Sequence, residues 1–395
     1  CPLNNQKFCI KKVKICFFTG TRAEYGLLYW IIKEIHESNN TELQLYVGGS
    51  HLSSEFGETI TQIELDGFPI SERLDFLCST NTTTGIAKSM GTALVLATEA
   101  LQRNKPDLIV ILGDRFETMA ICQAAMLETL PIAHIHGGET TEGVIDESIR
   151  HSITKMSHIH FSATEEYRKR VIQLGENPNT VFNVGAPGID NIKSLTLLDK
   201  KSLSSSLDFD LTGPFLLVTY HPVTLEEGGA INALKNLLSV LATYSEHKFI
   251  ITYPNADTHS KAIIELLQDF SIRYSDRVLL VKSLGQLRYI SLLAHCEVVV
   301  GNSSSGLIEA PSLKKPTVNI GSRQSGRISG DTVIHSDEDL SSISNSLEQA
   351  MTQDFKDLCN RSHNPYGDGG SSKKIVNIIK DFPLDGLLFK KFYNL

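Results

Sequence analysis

ILGDRFETMAICQAAMLETLPIAHIHGGETTEGVIDESIRHSITKMSHIHF, residues 111–161, sets out one strand–helix–strand step and the charged segment that follows it. With Leu108–Val110 before it, it opens on an apolar run without alternation, the pattern of a strand covered on both faces in a parallel sheet. The run stops at Gly113-Asp114-Arg115, and Phe116 to Leu127 then carries a helical period. A second short strand, Pro131 to Ile135, stops at His136-Gly137-Gly138-Glu139. A segment dense in ionisable groups follows: Glu142, Asp146, Glu147, Arg150 and His151. In open α/β sheets ligands lie outside the carboxyl ends of the strands. Asp114, Arg115, His136 and Glu139 all fall at such ends, so an acid, a base and an anion-binding cation converge on one crevice. Singly, each has a plainer reading. Asp114 could serve only as a helix N-cap, the acids of DESIRH as first-turn residues favoured by the helix dipole, and His134 as a satisfied core histidine. Charged groups at two strand ends one βαβ step apart are more than capping requires.

Upstream, Lys14 to Thr19 reads as the first strand, ending in GTRAEYG (residues 20–26), and Leu27 to Glu37 as a helix. A second strand, LQLYVGGS, ends at His51. Strand, Gly-containing turn and helix start together make an anion site, and Arg22 is placed to clamp a phosphate or carboxylate. Its alternative role is a surface pair with Glu24. GTRAEYG is not GxGxxG, so a dinucleotide cofactor is not expected. Gly85 to Arg103 reads as a long helix broken by Pro106-Asp107, and VGAPG (residues 184–188) as the boundary of a first domain.

Beyond the polar stretch Lys200 to Gly213 the βαβ alternation restarts. Strands in FLLVTYHPVT (215–224), KFIITYPNAD (248–257), RVLLVKSLG (277–285) and EVVVGN (297–302) each end in a polar cluster, and PTVNIGSRQSGRISG (316–330) is the last clear strand and loop. Gly301-Asn302-Ser303-Ser304-Ser305-Gly306 lets a diphosphate approach the backbone, with Ser hydroxyls at the positive end of a helix. Glu309 on that helix can accept from both ribose hydroxyls, or can simply complete a capping box. Arg323 and Arg327 add positive charge nearby. His221, held extended by Pro222, can be base, acid or phosphate donor, and Asn255 offers an amide to a sugar hydroxyl. Two Rossmann-like halves facing a central cleft are therefore expected, followed after NPYGDGG (364–370) by one amphipathic helix, Ser371 to Lys380.

At 395 residues the chain has room for two domains. Its net charge of −8 argues against nucleic acid or an anionic membrane as a general partner, and no apolar run is long enough to span a bilayer. The first twenty residues read as a short leader rather than a signal peptide. The seven cysteines form no CxxC, and their odd number suits reduced thiols in a cytoplasmic protein, with Cys16, Cys122 and Cys296 as small core residues. No metal site is suggested.

GTRAEYG, GSHL, LGDRFE, HIHGGE, IDESIRHSITKMSH, HPVT, GNSSSGLIE and GSRQSGR occur in the order found in the hydrolysing UDP-N-acetylglucosamine 2-epimerases of sialic-acid biosynthesis. The resemblance covers Lys12 to Asp381. It implies an α/β fold of two Rossmann-like domains of the glycosyltransferase-B type, 1–187 with the catalytic acids and 188–370 binding UDP, then a C-terminal helix and tail, 371–395. It implies UDP-N-acetylglucosamine and water as substrates, N-acetylmannosamine and UDP as products, no cofactor, and a homodimer or homotetramer. The implied chemistry is anti elimination of UDP to 2-acetamidoglucal, then hydration with inversion at C2. By resemblance Asp114, Asp146 and His221 are catalytic. Arg22, Arg115, Ser303, Ser304, Glu309 and Arg327 match the UDP-binding set, and His51 and Asn255 match polar positions near the sugar. The chain departs from the family's HIEGGE at His136, so either His136 or Glu139 takes the role of that motif's first Glu. Glu147 replaces a second Asp, and RAEYGL replaces RADYSK at Gly26 and Leu27. The nearest rival substrate is UDP-N,N'-diacetylbacillosamine. A non-hydrolysing epimerase, a glycosyltransferase and a non-catalytic sugar-nucleotide sensor stand further off.

Overall fold

Thirteen parallel strands form two sheets in a computed structural model that describes residues 12–54, 57–78, 82–141, 144–222, 229–254, 260–282 and 284–395. The first sheet holds β1 (Val13–Thr19), β2 (Thr41–Gly48), β3 (Ile70–Leu74), β4 (Leu108–Leu112), β5 (Ile132–Ile135), β6 (Ile159–Ser162) and β7 (Val181–Asn183), in the order β3-β2-β1-β4-β5-β6-β7. The second holds β8 (Phe215–Thr219), β9 (Lys248–Thr252), β10 (Val278–Val281), β11 (Val298–Gly301), β12 (Thr317–Ile320) and β13 (Val333–Ser336), in the order β10-β9-β8-β11-β12-β13. Each order reverses once, between β1 and β4 and between β8 and β11. At such a reversal neighbouring loops leave in opposite directions and open a crevice at the carboxyl ends. Those ends carry Gly20-Thr21-Arg22 beside Gly113-Asp114-Arg115, and Tyr220-His221 beside Asn302-Ser303. The fold is α/β with two Rossmann-like domains, as expected.

The central strands are legible because both their faces are covered. Every residue of LIVIL in β4 and FLLVT in β8 is buried, and helices close both sides of each sheet, as parallel sheets require. Cys16, Cys122 and Cys296 are core residues. Among the described residues no helix is long and apolar enough to cross a membrane.

Three details differ from the sequence reading. The first helix begins at Arg22, not Leu27: Thr21 and Glu24 form a capping box, so the supposed loop is the first turn. The polar stretch at 200–213 contains a helix, Lys200–Leu207, capped by Asp199, whose Leu203 enters the core of the second half. The strand Val333–Ser336 follows the one read as the last. The amphipathic helix expected after NPYGDGG is present as Ser371–Asp381, and it returns to the first sheet, where Ile375, Val376 and Ile379 pack with Ile15, Phe17, Leu28 and Ile32.

Candidate active site

Arg150 organises the site. It lies on the helix Asp146–Met156, is 1% exposed, and spreads its guanidinium over four acceptors. Nη2 is hydrogen-bonded to the Asp114 carboxylate and donates to Thr141 Oγ1 at 2.8 Å. Nη1 donates to Glu147 Oε2 at 2.7 Å and to the Glu139 carbonyl at 2.9 Å. Only a planar fork serves so many acceptors at once. Arg150 was visible in the sequence but left out of the expected site. The signal lay in the number of acids, since the buried Glu139 and the half-buried Asp114 and Glu147 together draw a counter-charge.

Asp114 follows β4, and Glu139 closes the loop after β5. Burial pushes the Asp114 carboxyl up, but Arg150 and Arg327 outweigh it and hold the group below its ordinary value. Burial pushes Glu139 up as well, and His136, Arg327 and Arg150 bring it down to about 2. Both are carboxylates at neutral pH. His136, at φ +68° in the left-handed region, turns its ring inward so that Nδ1 lies 2.5 Å from Glu139 Oε1. Its Nε2 is buried without a hydrogen-bond partner. Glu139 therefore engages Nδ1, and Nε2 is the ring nitrogen left uncommitted. His134 keeps its plainer reading: it bonds Gly113 O at 2.8 Å, and burial lowers it to about 3.

The second half closes on this cluster. Arg327 Nη2 lies 3.3 Å from Glu139 Oε2, its Nε donates to the Thr140 carbonyl at 3.2 Å, and Thr140 Oγ1 donates to the Gly326 carbonyl at 2.5 Å. His221 is buried after β8, its N–H donating to Asn302 Oδ1 at 2.7 Å and its carbonyl accepting from Asn302 Nδ2 at 2.8 Å. Burial lowers its pKa well below the ordinary value, helped by the nearby charges of Arg323 and Arg115. Arg323 in turn donates to the Asn302 carbonyl at 2.9 Å. Burial raises Glu309 to about 7, and the side chain stands over Gly188, where an added Cβ would come within 2.3 Å of its Oε1.

The remaining expected residues fall around this centre. Arg22 does not pair with Glu24, whose carboxylate accepts from the Gly20 and Thr21 N–H groups at 2.8 and 3.2 Å. Arg22 Nη1 is instead buried without a partner, and burial followed by Arg288 lowers its pKa. His51 joins Thr19 Oγ1 at 2.9 Å and Thr59 Oγ1 at 2.8 Å and is lowered by burial to about 4. Arg115 donates to Glu117 Oε1 at 2.7 Å, and Asp146 is the half-buried first residue of its helix. Asn255 and Glu142 lie outside the described residues. Ser303 and Ser304 precede a helix of only four residues, Ser305–Ile308, so the expected helix dipole is lacking there; hydroxyls and backbone N–H groups remain as donors. Among the described residues no three His, Cys, Asp or Glu side chains group as metal ligands.

Residues 33–380 match the family described as UDP-N-acetylglucosamine 2-epimerase. The chain belongs to that family. It is 38% identical over 387 residues, 98% of this chain and 100% of the relative, to the GDP/UDP-N,N'-diacetylbacillosamine 2-epimerase (hydrolyzing) of Campylobacter jejuni. It is 39% identical over 370 residues, 93% of this chain and 94% of the relative, to the polysialic acid biosynthesis protein P7 of Escherichia coli. The crystal structure of a UDP-GlcNAc 2-epimerase from Neisseria meningitidis, bound to UDP-GlcNAc, superposes with a TM-score of 0.79 at 21% identity, covering 93% of this chain and 99% of that one. That likeness establishes the glycosyltransferase-B type fold for this member of the epimerase family.

Proposed function

We propose that this epimerase-family member is a hydrolysing 2-epimerase that converts UDP-N-acetylglucosamine and water into N-acetylmannosamine and UDP in the cytoplasm, as a homo-oligomer, for a sialic-acid-type sugar. The observation that carries the reading is the cluster at the carboxyl ends of β4 and β5. Two ionised carboxylates and an imidazole with one uncommitted nitrogen lie within reach of cations from both halves. Breaking C2–H and C1–O together needs a base on one side of the ring and stabilisation of the departing diphosphate on the other.

His136 takes the place of the family's first Glu. With Nδ1 fixed by Glu139, Nε2 faces the substrate and moves the proton at C2, while Glu139 stabilises the imidazolium that forms. Asp114, kept anionic by Arg150, opposes it, and Asp146 stands ready to orient the water that adds to the glucal. His221, Arg115, Arg22, Ser303, Ser304 and Arg327 receive the diphosphate, and Glu309 accepts from the ribose hydroxyls. His51 and Asn255 border the sugar.

A second substrate is favoured by one observation: relatives from Campylobacter jejuni and Legionella pneumophila, 38% and 35% identical, are named for UDP-N,N'-diacetylbacillosamine. The two substrates differ at C4 and C6, and the same elimination and hydration serve both. The test is release of UDP and free sugar from each nucleotide sugar in parallel. Release from UDP-N-acetylglucosamine is expected. UDP-N-acetylmannosamine without free sugar would overturn hydrolysis, and an absence of UDP from both would overturn the epimerase reading.

A further inference from the structure

Ile328, the residue after Arg327, has both its backbone groups held by tyrosine hydroxyls. Its N–H donates to Tyr167 Oη at 2.9 Å, and its carbonyl accepts from Tyr366 Oη at 2.9 Å. The two hydroxyls are 3.0 Å apart. Each phenol has one proton. Tyr366 gives its proton to the Ile328 carbonyl, so Tyr167 must give its own to Tyr366. The result is a closed circuit with a single direction: Ile328 N–H to Tyr167, Tyr167 to Tyr366, and Tyr366 to Ile328 C=O. Both tyrosines are fully buried, so water cannot replace a missing member.

The three residues come from distant parts of the chain. Tyr167 stands on the helix Glu165–Gln173 of the first half, Ile328 belongs to the loop after β12, and Tyr366 lies in the NPYGDGG turn that carries the chain back to the first sheet. The two tyrosines are independently anchored. The loop that carries Glu139 rests on the Tyr167 helix, because Gly138 has no Cβ to meet the Tyr167 carbonyl, which would lie 2.3 Å from it, and because Arg170 donates to the Gly138 carbonyl at 2.6 Å. Tyr366 donates its N–H to Asn364 Oδ1 at 2.9 Å, and its carbonyl accepts from Ala186 N–H at 3.0 Å. One helix thus backs the Glu139 loop on one side and grips the chain beside Arg327 on the other.

We propose that Tyr167 and Tyr366 are positioning residues: their hydroxyl circuit fixes Arg327 against Glu139 and so locks the two halves together over the site. Neither phenol touches the reacting groups; both act through Arg327. The role rests on the epimerase reading for its catalytic consequence, but the lock itself is a property of the fold.

Tyr167→Phe, Tyr366→Phe, Arg327→Ala and the Tyr366→Phe/Arg327→Ala pair test it, because phenylalanine keeps the buried ring. The phenylalanine variants are expected to lower kcat for UDP-N-acetylglucosamine by about tenfold to a hundredfold, the effect of misplacing a group by about 1 Å, with KM changed by less than about twofold. Added to Arg327→Ala, Tyr366→Phe is expected to cost nothing further, since coupled residues are not additive. Losses that multiply would overturn the role in positioning Arg327. Amide hydrogen exchange, without substrate, reads the lock directly. Ile328 is expected to exchange slowly in the unmutated protein and at least about tenfold faster in Tyr167→Phe, which removes the acceptor of its N–H, and slow exchange in both would overturn the lock. If the unmutated protein released no UDP from any nucleotide sugar, the functional reading alone would fail, and the exchange result would still decide the lock.

Discussion

Glu309 and Arg150 are two single residues at which the proposed chemistry can be probed. Burial raises Glu309 to about 7 in the free protein, so its acceptor-only carboxylate form predominates above that pH and its neutral form below it. If the carboxylate accepts both ribose hydroxyls, affinity for UDP-N-acetylglucosamine rises by about tenfold from pH 6 to pH 8, following the ionised fraction. The sugar nucleotide is a diphosphate diester whose charge is constant over that range, so the change belongs to the protein. Calorimetry on the slow Asp114→Asn protein would read it, and Glu309→Gln should give a flat profile; a slope in that variant would assign the titration elsewhere. Arg150 is a counter-charge on a fork. Arg150→Met leaves Asp114 and Glu147 without their cation and is expected to cost about 3 kcal/mol in urea unfolding. Arg150→Lys restores the charge but not the four bonds, so it should recover much of the stability while kcat stays about a hundredfold low. Equal activity in Arg150→Lys would show that charge alone suffices.

At the scale of the element, the β8–β11 contact has no tolerance. Gly301 has φ +129°, and an added Cβ would lie 1.9 Å from the Thr219 carbonyl. Gly301→Ala is therefore expected to destabilise the second half by about 4 kcal/mol or to abolish soluble expression. Gly213→Ala, also left-handed at φ +82° but with nothing within 4 Å, should cost about 1 kcal/mol. Similar losses at the two sites, by denaturant midpoint, would refute the steric argument. The same contrast explains what the sequence disclosed. β4, β8 and β11 are buried along their whole length and announce themselves by continuous apolar runs. At the sheet edges β3 has only Leu74 buried and β13 only Ser336, so ISERL and VIHS carry little hydrophobic signal. The capping box of Thr21 and Glu24 was present as T-x-x-E, but Gly26 disguised the first turn as a loop. In the site, groups at strand ends were legible because the βαβ pattern places them. Arg150 was not, because nothing local distinguishes a buried cation from an exposed one, and Tyr167 and Tyr366 meet only through the returning chain.

At the scale of the molecule, the halves are interdependent. The helix Ser371–Asp381 supplies Ile375, Val376 and Ile379 to the core of the first sheet, although nearly two hundred residues separate it from β7. Residues 1–187 expressed alone are accordingly expected to lack cooperative unfolding, and the same fragment joined by a linker to residues 364–395 to regain it, by circular dichroism; cooperative folding of the short fragment would contradict this. The two halves meet where Arg327 of one reaches Glu139 of the other, and in the proposed function this closure encloses an elimination at C2 followed by hydration. Proton NMR of the protein with UDP-N-acetylglucosamine in deuterated water tests that elimination. UDP is expected together with free N-acetylmannosamine that carries deuterium at C2, because the proton lost to the protein is replaced from solvent. N-acetylmannosamine that retains its original C2 proton, or free N-acetylglucosamine in its place, would contradict it.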